Sequence, residues 1–324
     1  MNRSTSHYTF HGLGVAISGE PTVSAVLHSR LRQLPMNGEG SLDLTFEFCC
    51  VPNGENHLVE KPQGRARSVY KSSLTEIAYF DDEDQLYLSY RNQIRVLCNL
   101  SEGRVRLSII QSEIDQQWLI SHPLFTIPLV ELLKRRERYS LHAAGLCVNG
   151  RGLLLAGESG AGKSTLTIAL LRAGFGFLGD DMIFLAPGQQ GIRALAFPDE
   201  IDVTDATACL FPELHYLLNR SNSPGWPKRR VRAEEVYGTD PVWECRPAVI
   251  VFPRVAYSEK SVLKPMKREE ALLELVPNVL LTEARSSQAH LDVLAELVRE
   301  SACYRLETGR DFDAIPLLLR GLVE

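Results

Sequence analysis

The strongest chemical signal in the chain is a glycine-rich stretch near its middle. Gly157-Glu158-Ser159-Gly160-Ala161-Gly162-Lys163-Ser164 fits the pattern G-x-x-x-x-G-K-[ST] of a phosphate-binding P-loop. Residues 153–156 form a short apolar run typical of a buried strand, and residues 164–173 carry apolar positions at helical spacing. The sequence therefore predicts a strand, a glycine loop and a helix that together bind a nucleoside triphosphate.

Phosphoryl transfer depends on positioning and charge neutralisation, and each of these roles has a candidate in this stretch. Backbone N–H groups and the helix N-terminus would hold the phosphates. Lys163 would offset the charge of the β- and γ-phosphates, and the Ser164 hydroxyl would ligate Mg²⁺. The predicted nucleotide-binding residues are Gly157, Glu158, Ser159, Gly160, Ala161, Gly162, Lys163, Ser164 and Thr165. The alternative, a glycine-rich turn without a ligand, is disfavoured by the strand and helix around it.

Carboxylates and a histidine flank the loop. Asp180 and Asp181 fall in a predicted strand over residues 175–185, where adjacent side chains point to opposite faces, so only one should face the nucleotide. From the residues alone the pair could do chemistry or cap a turn, and His142 could be structural. Glu200 or Asp199 is a candidate second metal carboxylate, with loop solvation as the alternative.

The elements before the loop predict how it is positioned. Asn149-Gly150 lies between two apolar runs and is a strong hairpin signal, because both residues tolerate the positive φ of a type I′ turn. The strand entering the loop should therefore be antiparallel to the strand before it. This arrangement differs from the parallel βαβ sheets of many nucleotide-binding enzymes.

The first third of the chain predicts a β-rich domain over residues 1–121 that could recognise a substrate. Short runs such as residues 42–48 alternate apolar and polar side chains, which is typical of a half-buried strand in an antiparallel meander. A linking helix is predicted over residues 122–138, before a catalytic domain over 139–324. Its basic end, residues 134–138, is interpreted as a solvated helix end or as a docking site for an acidic substrate.

Composition narrows the class of protein. A net charge of -5 without a dense basic stripe argues against nucleic-acid binding and favours protein, peptide or small-molecule partners. The seven cysteines lack paired C-x-x-C spacing, so reduced thiols are expected. No signal peptide or membrane-spanning stretch is apparent, which leads us to expect a cytoplasmic protein without membrane contact.

Leu141-His142-Ala143, Asn149-Gly150, Gly157 to Ser164 and Gly179-Asp180-Asp181 occur in the order and spacing of one family. Over residues 139–185 the chain resembles the catalytic domain of HPr kinase/phosphorylase. Its opening, Tyr8 to Leu13, is similar to the start of stand-alone HPr-kinase-related proteins, some of which accompany peptide-modification gene clusters.

The resemblance implies an α+β or α/β fold in which a P-loop kinase domain of the HPr kinase type, with a mixed sheet, follows a smaller β-rich domain. It implies ATP and Mg²⁺ as cofactors and makes a homo-oligomer a candidate assembly. Asp181 would be the base that accepts the proton of the acceptor hydroxyl, and His142 would assist it or stabilise charge. Asp180 would bind metal or hold a neighbouring backbone segment. Glu200, which is proposed from the residues and not from the resemblance, is the candidate for a further metal ligand, with Asp199 or a solvated loop as the alternatives.

One departure from the family limits the expected activity. The family's downstream loop of the type Arg-Gly-Leu-Gly-Ile-Ile has no counterpart in this sequence, so neither phosphorylase activity nor HPr as the substrate is expected. The sequence thus predicts an ATP-dependent kinase that acts on a Ser/Thr hydroxyl of a protein or peptide. The alternatives are an ATP-binding regulatory or scaffolding module without phosphotransfer and a small-metabolite kinase.

A basic segment later in the chain leaves two interpretations open. Residues 219–234 are polar and predict a mobile loop that contains Lys228, Arg229 and Arg230. These side chains could close over a nucleotide or a phosphopeptide, or they could belong to a solvated loop.

Overall fold

The chain divides into two units in a computed structural model that describes residues 4–36, 42–53, 58–197, 199–220, 222, 226 and 228–324. The N-terminal unit comprises Met1–Arg136 and the short segment Thr282–Ser286. The C-terminal unit comprises Glu137–Leu281 and Ser287–Glu324. Both combine helices with mixed sheets, so the fold is mixed α and β. No helix of the described residues is long and apolar enough to cross a membrane.

The N-terminal unit is built on one eight-stranded sheet. Its strands are β1 (Ser4–Phe10), β2 (Leu13–Gly19), β3 (Leu44–Val51), β4 (Arg67–Lys71), β5 (Thr75–Phe80), β6 (Gln85–Tyr90), β7 (Ile94–Asn99) and β8 (Arg104–Ile110), in the order β1-β2-β3-β8-β7-β6-β5-β4. Strands β4 to β8 pair antiparallel, which confirms the predicted meander. β3 instead runs parallel to both β2 and β8. Helix α1 (Pro21–Leu31) forms the crossover between β2 and β3 that a parallel pair requires.

The helix predicted over residues 122–138 is shorter and begins irregularly. A one-turn helix α2 (Gln117–Leu119) and a π-helical turn (Ile120–Leu124) precede α3 (Phe125–Lys134). Pro123 lies in the π-helical turn, where a missing N–H disturbs regular α-helical hydrogen bonding. The chain leaves the helix near Glu137, whose φ of 58° belongs to the left-handed region.

The basic end of α3 differs from both of its predicted roles. The Lys134 side chain is fully buried and its Nζ lies 2.9 Å from Glu131 Oε1. Thr282 Oγ1 donates a hydrogen bond to the same Glu131 carboxylate and accepts one from the Tyr79 hydroxyl, at 3.1 Å. Arg135 donates to the Glu83 carbonyl. Buried charges need partners, and Lys134 and Arg135 find theirs within the N-terminal unit. They therefore stabilise that unit and are not free to dock a substrate.

A mixed sheet of nine strands forms the centre of the C-terminal unit. Its strands are β9 (Tyr139–Leu141), β10 (Ala143–Val148), β11 (Arg151–Ala156), β12 (Gly176–Gly179), β13 (Ile183–Gly188), β14 (Gly191–Leu195), β17 (Glu244–Val255), β18 (Val262–Pro265) and β19 (Ala302–Thr308). A separate two-stranded ladder joins β15 (Ile201–Val203) to β16 (Arg229–Val231). The main order is β12-β10-β11-β17-β14-β13-β9, with β19 and β18 beyond β17.

Helices cover both faces of this sheet. They are α4 (Lys163–Arg172), α5 (Asp205–Leu210), α6 (Ala233–Tyr237), α7 (Arg268–Leu275), α8 (Ala284–Glu300) and α9 (Ile315–Val323). One buried cluster packs α4, α5, α6 and α9 against the sheet, and a second packs α7 and the later turns of α8 against it. The central strands β10 and β11 are buried almost throughout, so the loop after β11 begins at the end of a well-packed strand.

Candidate active site

A tight hairpin leads the chain into the glycine loop. β10 and β11 pair antiparallel in register from Ala143↔Ala156 to Val148↔Arg151. Asn149 and Gly150 have φ values of 49° and 79°, as a type I′ turn requires. The predicted hairpin and the predicted direction of the strand that enters the loop are therefore confirmed. β11 also runs parallel to β17, so the sheet is mixed at this point.

The loop itself turns on glycines in the left-handed region. Gly160 and Gly162 have φ values of 86° and 98°, and α4 begins directly afterwards at Lys163. A side chain at either position would be strained at these angles. The first N–H groups of a helix have no partner within the helix, so those of α4 are available to a ligand held by the loop. The order strand, glycine loop and helix is the arrangement that binds phosphate at a helix N-terminus.

Lys163 is folded back onto its own loop. Its Nζ donates to the carbonyl oxygens of Gly157, at 2.7 Å, and Glu158, at 3.2 Å. Burial lowers the pKa of Lys163, while the charges of Asp181 and Asp180 oppose this effect. The ammonium is thus held at the base of the loop by neutral acceptors, which an anionic ligand would outcompete.

Asp180 lies directly under the first turn of α4. The Ser164 hydroxyl donates to Asp180 Oδ2 at 2.7 Å, and the carboxylate is buried. Its other oxygen, Oδ1, is buried without a hydrogen-bond partner among the described residues. Burial, reinforced by the charges of Asp181 and Asp202, raises the pKa of Asp180 to about 6.

This pair of side chains fits a magnesium ion. Mg²⁺ is bound in nucleotide sites by one or two protein oxygens, with phosphate oxygens and water supplying the rest. The Ser164 hydroxyl and the unpartnered Asp180 Oδ1 are oxygen donors of this kind. No cluster of three or more acidic, histidine or cysteine ligands occurs in the part of the chain that the structure describes. A site completed by phosphate does not need one.

Asp181 lies at the opening of the same site and contacts His142. His142 Nδ1 lies 2.8 Å from the Asp181 carbonyl oxygen and 3.2 Å from its Oδ1. Both partners are acceptors, so Nδ1 carries a proton. Partial desolvation raises the pKa of Asp181, but the hydrogen bond and charge of His142, with Lys163 and Lys228, outweigh it and lower the pKa overall. Asp181 is therefore a carboxylate at neutral pH.

The two aspartates do not sit on opposite faces of one strand as predicted. The chain breaks into β12, which pairs with β10, and β13, which pairs with β9 and β14. Asp180 and Asp181 occupy the gap between these strands, so strict alternation does not apply to them. Asp180 is buried and the Asp181 side chain is 79% exposed, yet both line one cavity.

A cavity of about 300 Å³ brings most of the predicted site residues together. It is lined by His142, Ser159, Gly160, Gly162, Lys163, Ser164, Thr165, Asp180, Asp181, Asp202, Thr204, Thr207 and Lys228. The remaining loop residues, Gly157, Glu158 and Ala161, stabilise the loop through backbone hydrogen bonds. The Gly157 and Glu158 carbonyl groups accept from Lys163 Nζ, and the Ala161 N–H donates to the Glu158 carbonyl at 3.2 Å.

Glu200 is placed differently from its predicted role. Its carboxylate accepts hydrogen bonds from Arg230 and from Arg232, whose Nε lies 2.8 Å from Glu200 Oε1. Among the described residues Asp202 lines the cavity in its place, and burial raises the pKa of Asp202. The sequence held a signal for this residue, since Asp202 lies between the buried Ile201 and Val203 in a strand of period two.

The comparisons with known proteins point to one group over a short region. No protein-family model matches the chain. Over 80 residues the chain is 35% identical to HPr kinase/phosphorylase of Bordetella pertussis. These residues make up 23% of this chain and 26% of the Bordetella pertussis protein. The Bordetella petrii protein of the same name is 35% identical over 89 residues, covering 25% and 29%. The chain thus spans about a quarter of the length of these relatives.

A solved structure titled as the Hpr(Ser) kinase/phosphatase from Coxiella burnetii also matches. It is 15% identical and covers 57% of this chain and 93% of its own, with a TM-score of 0.32. In sequence, this chain is similar to HPr kinase/phosphorylase over a region of 80 to 89 residues.

Proposed function

We propose that the chain is an ATP-dependent kinase that transfers a phosphoryl group to a serine or threonine hydroxyl of a protein or peptide. The observation that carries the proposal is the convergence of the glycine loop, the Ser164–Asp180 pair and the His142–Asp181 pair on one cavity. The similarity to HPr kinase/phosphorylase supports it.

The residues of the cavity have distinct roles in this proposal. Lys163 exchanges its carbonyl partners for phosphate oxygens, and the first turn of α4 holds the phosphates through N–H groups. Ser164 and Asp180 hold the Mg²⁺. Bound Mg²⁺·ATP supplies the phosphoryl group and a Lewis acid that neutralises its charge. The cavity volume of about 300 Å³ suits the phosphates better than a whole nucleotide.

Asp181 is the base that acts on the acceptor hydroxyl. Its exposed carboxylate accepts the proton of the acceptor hydroxyl while the oxygen–phosphorus bond forms and the bond to the leaving ADP breaks. A low pKa makes it a weak base, which suits a loose transition state in which the proton leaves late. His142 holds the carboxylate in place and stabilises its negative charge.

Labelled ATP with Mg²⁺ and the peptide products of neighbouring genes tests the activity, with mass spectrometry to locate the modified residue. Lys163→Ala should abolish nucleotide-dependent transfer. Asp181→Asn should retain ATP binding but lose about 10² to 10⁴-fold in turnover. Asp313→Asn, at a side chain that is 98% exposed, is the matched control and should behave as wild type. An Asp181→Asn enzyme with full turnover would refute the base assignment.

The outcome also separates the alternative functions. ATP binding without any labelled product would indicate a regulatory module, and labelled small molecules would indicate a metabolite kinase. The same proposal assigns acceptor recognition to the β-rich region before residue 122. Cross-linking the peptide to the intact protein should then place it on strands of the N-terminal sheet, and cross-links confined to the C-terminal unit would contradict this assignment.

A further inference from the structure

The basic segment around β16 splits into two kinds of side chain. Residues 221, 223–225 and 227 of the predicted loop over 219–234 lie outside the described residues, and β16 and α6 occupy its later part. Arg229 Nε lies 2.6 Å from Asp205 Oδ1, while Arg230 and Arg232 both bind Glu200. The three guanidinium groups are thus committed to carboxylates. Lys228, by contrast, lines the cavity.

Lys228 has only a weak partner there. Its Nζ lies 3.6 Å from Asp202 Oδ2, and the two side chains are 42% and 43% exposed. An ion pair this open and this long contributes little to stability and is screened by salt. The ammonium group can therefore leave Asp202 for a more highly charged anion at little cost.

The position of Lys228 also suits such an exchange. Lys228 lines the same cavity as Asp181, the residue assigned to the acceptor, and Lys163, the residue assigned to the outer phosphates. Lys163 lies at the end of the glycine loop and the start of α4, whereas Lys228 directly precedes β16. The two ammonium groups therefore come from separate elements that face one cavity.

We propose that Lys228 is a further catalytic residue, whose ammonium group binds the γ-phosphate and neutralises the phosphoryl group during transfer. This inference rests on the proposed function and adds a residue from outside the glycine loop. Asp202 holds the side chain at the cavity mouth until the phosphate arrives. Charge stabilisation of a transferring phosphoryl group by a second cation is a general requirement of this chemistry.

Calorimetric binding of Mg²⁺·ADP and of a non-hydrolysable Mg²⁺·ATP analogue tests the proposal without relying on turnover. Lys228→Gln should weaken binding of the analogue by about 10-fold to 100-fold and change ADP binding by less than about 2-fold, because only the analogue carries a γ-phosphate. Lys228→Arg should keep the preference for the analogue. Lys260→Gln removes the same charge from an exposed loop of the same unit and should change neither affinity.

Equal losses for both nucleotides, or no loss for either, would overturn the role of Lys228 while leaving the proposed kinase function in place. Absence of nucleotide binding by the wild-type protein would instead refute the proposed function itself, and the Lys228 role with it. Thermal melting is measured first on each variant. Lys228 is 42% exposed, so its replacement should leave the melting temperature within about 2 °C of the wild-type value, and the charge-retaining arginine variant guards against a folding artefact.

Discussion

Replacing Asp180 by asparagine should stabilise the metal-free C-terminal unit at alkaline pH and much less in acid. The buried carboxyl has a pKa of about 6 against 3.8 when exposed. Because the folded state raises this pKa, the folded protein retains a proton that the unfolded chain releases. The stability of the wild-type protein should therefore fall as pH rises from about 4 to about 6 and then stay level.

The size of the effect follows from the two pKa values. The ionisation penalty in the folded state is below about 1 kcal/mol at pH 4 and about 3 kcal/mol at pH 8, so it grows by about 2–3 kcal/mol between the two. Asp180→Asn removes this penalty. The asparagine amide also loses or gains contacts of its own, for instance with Ser164, but those contributions are the same at both pH values and cancel in the comparison.

Urea unfolding in the presence of a chelator, at pH 4 and pH 8, measures this difference. The advantage of the variant should grow by about 2–3 kcal/mol between the two conditions, or by roughly 5–10 °C in melting temperature. Asp313→Asn, at an exposed position, should change stability equally at both pH values. An advantage of Asp180→Asn that does not change with pH would show that the carboxyl is hydrated, and the reasoning would fail.

Three further predictions concern other contacts. His142→Gln should raise the pKa of Asp181 and move the acidic limb of the pH–turnover profile to higher pH; an unmoved limb would mean that His142 does not act on this carboxylate. Lys134→Ala should destabilise the N-terminal unit by about 3–5 kcal/mol in urea, whereas a double replacement with Glu131→Met should restore most of the loss, and equal instability of both would contradict a paired charge. Gly150→Ala should lower the melting temperature, because the positive φ at this position costs an alanine about 1–2 kcal/mol of backbone strain. A Cβ there would meet no atom within 4 Å, so a steric clash would not add to this strain. An unchanged melting temperature would count against a strained turn.

Much of the site could be predicted because its geometry is local. Asn149 and Gly150 tolerate positive φ, and Gly160 and Gly162 do the same in the glycine loop, so residue type alone indicates where the backbone must turn. The placement of Ser164 next to the loop follows from the same short stretch. The roles of Asp181 and His142 stay predictions from the resemblance; in the structure His142 Nδ1 lies 2.8 Å from the Asp181 carbonyl oxygen and 3.2 Å from Asp181 Oδ1.

Other features depended on neighbours distant in the chain. Lys134 looked like a solvated helix end, but Glu131 and Thr282 enclose it, and Thr282 is contributed by a far later segment. Glu200 and Asp202 are both acidic residues of one short stretch. Which of them lines the cavity is decided by Arg230 and Arg232, which bind Glu200. The alternation of buried Ile201 and Val203 around Asp202 is a weak local signal, but the two arginines that bind Glu200 come from a later segment and are not visible in the local sequence.

By itself, the sequence determined the hairpin, the glycine loop and the helix that follows, because steric limits on φ and the exposed N–H groups of a helix act within a few residues. Only the tertiary structure decided which charges meet there. The break between β12 and β13 places both aspartates on one cavity. Asp202 in β15 and Lys228, directly before β16, also line this cavity. Burial and electrostatic pairing are long-range properties in sequence, so they are fixed when the sheets and helices pack.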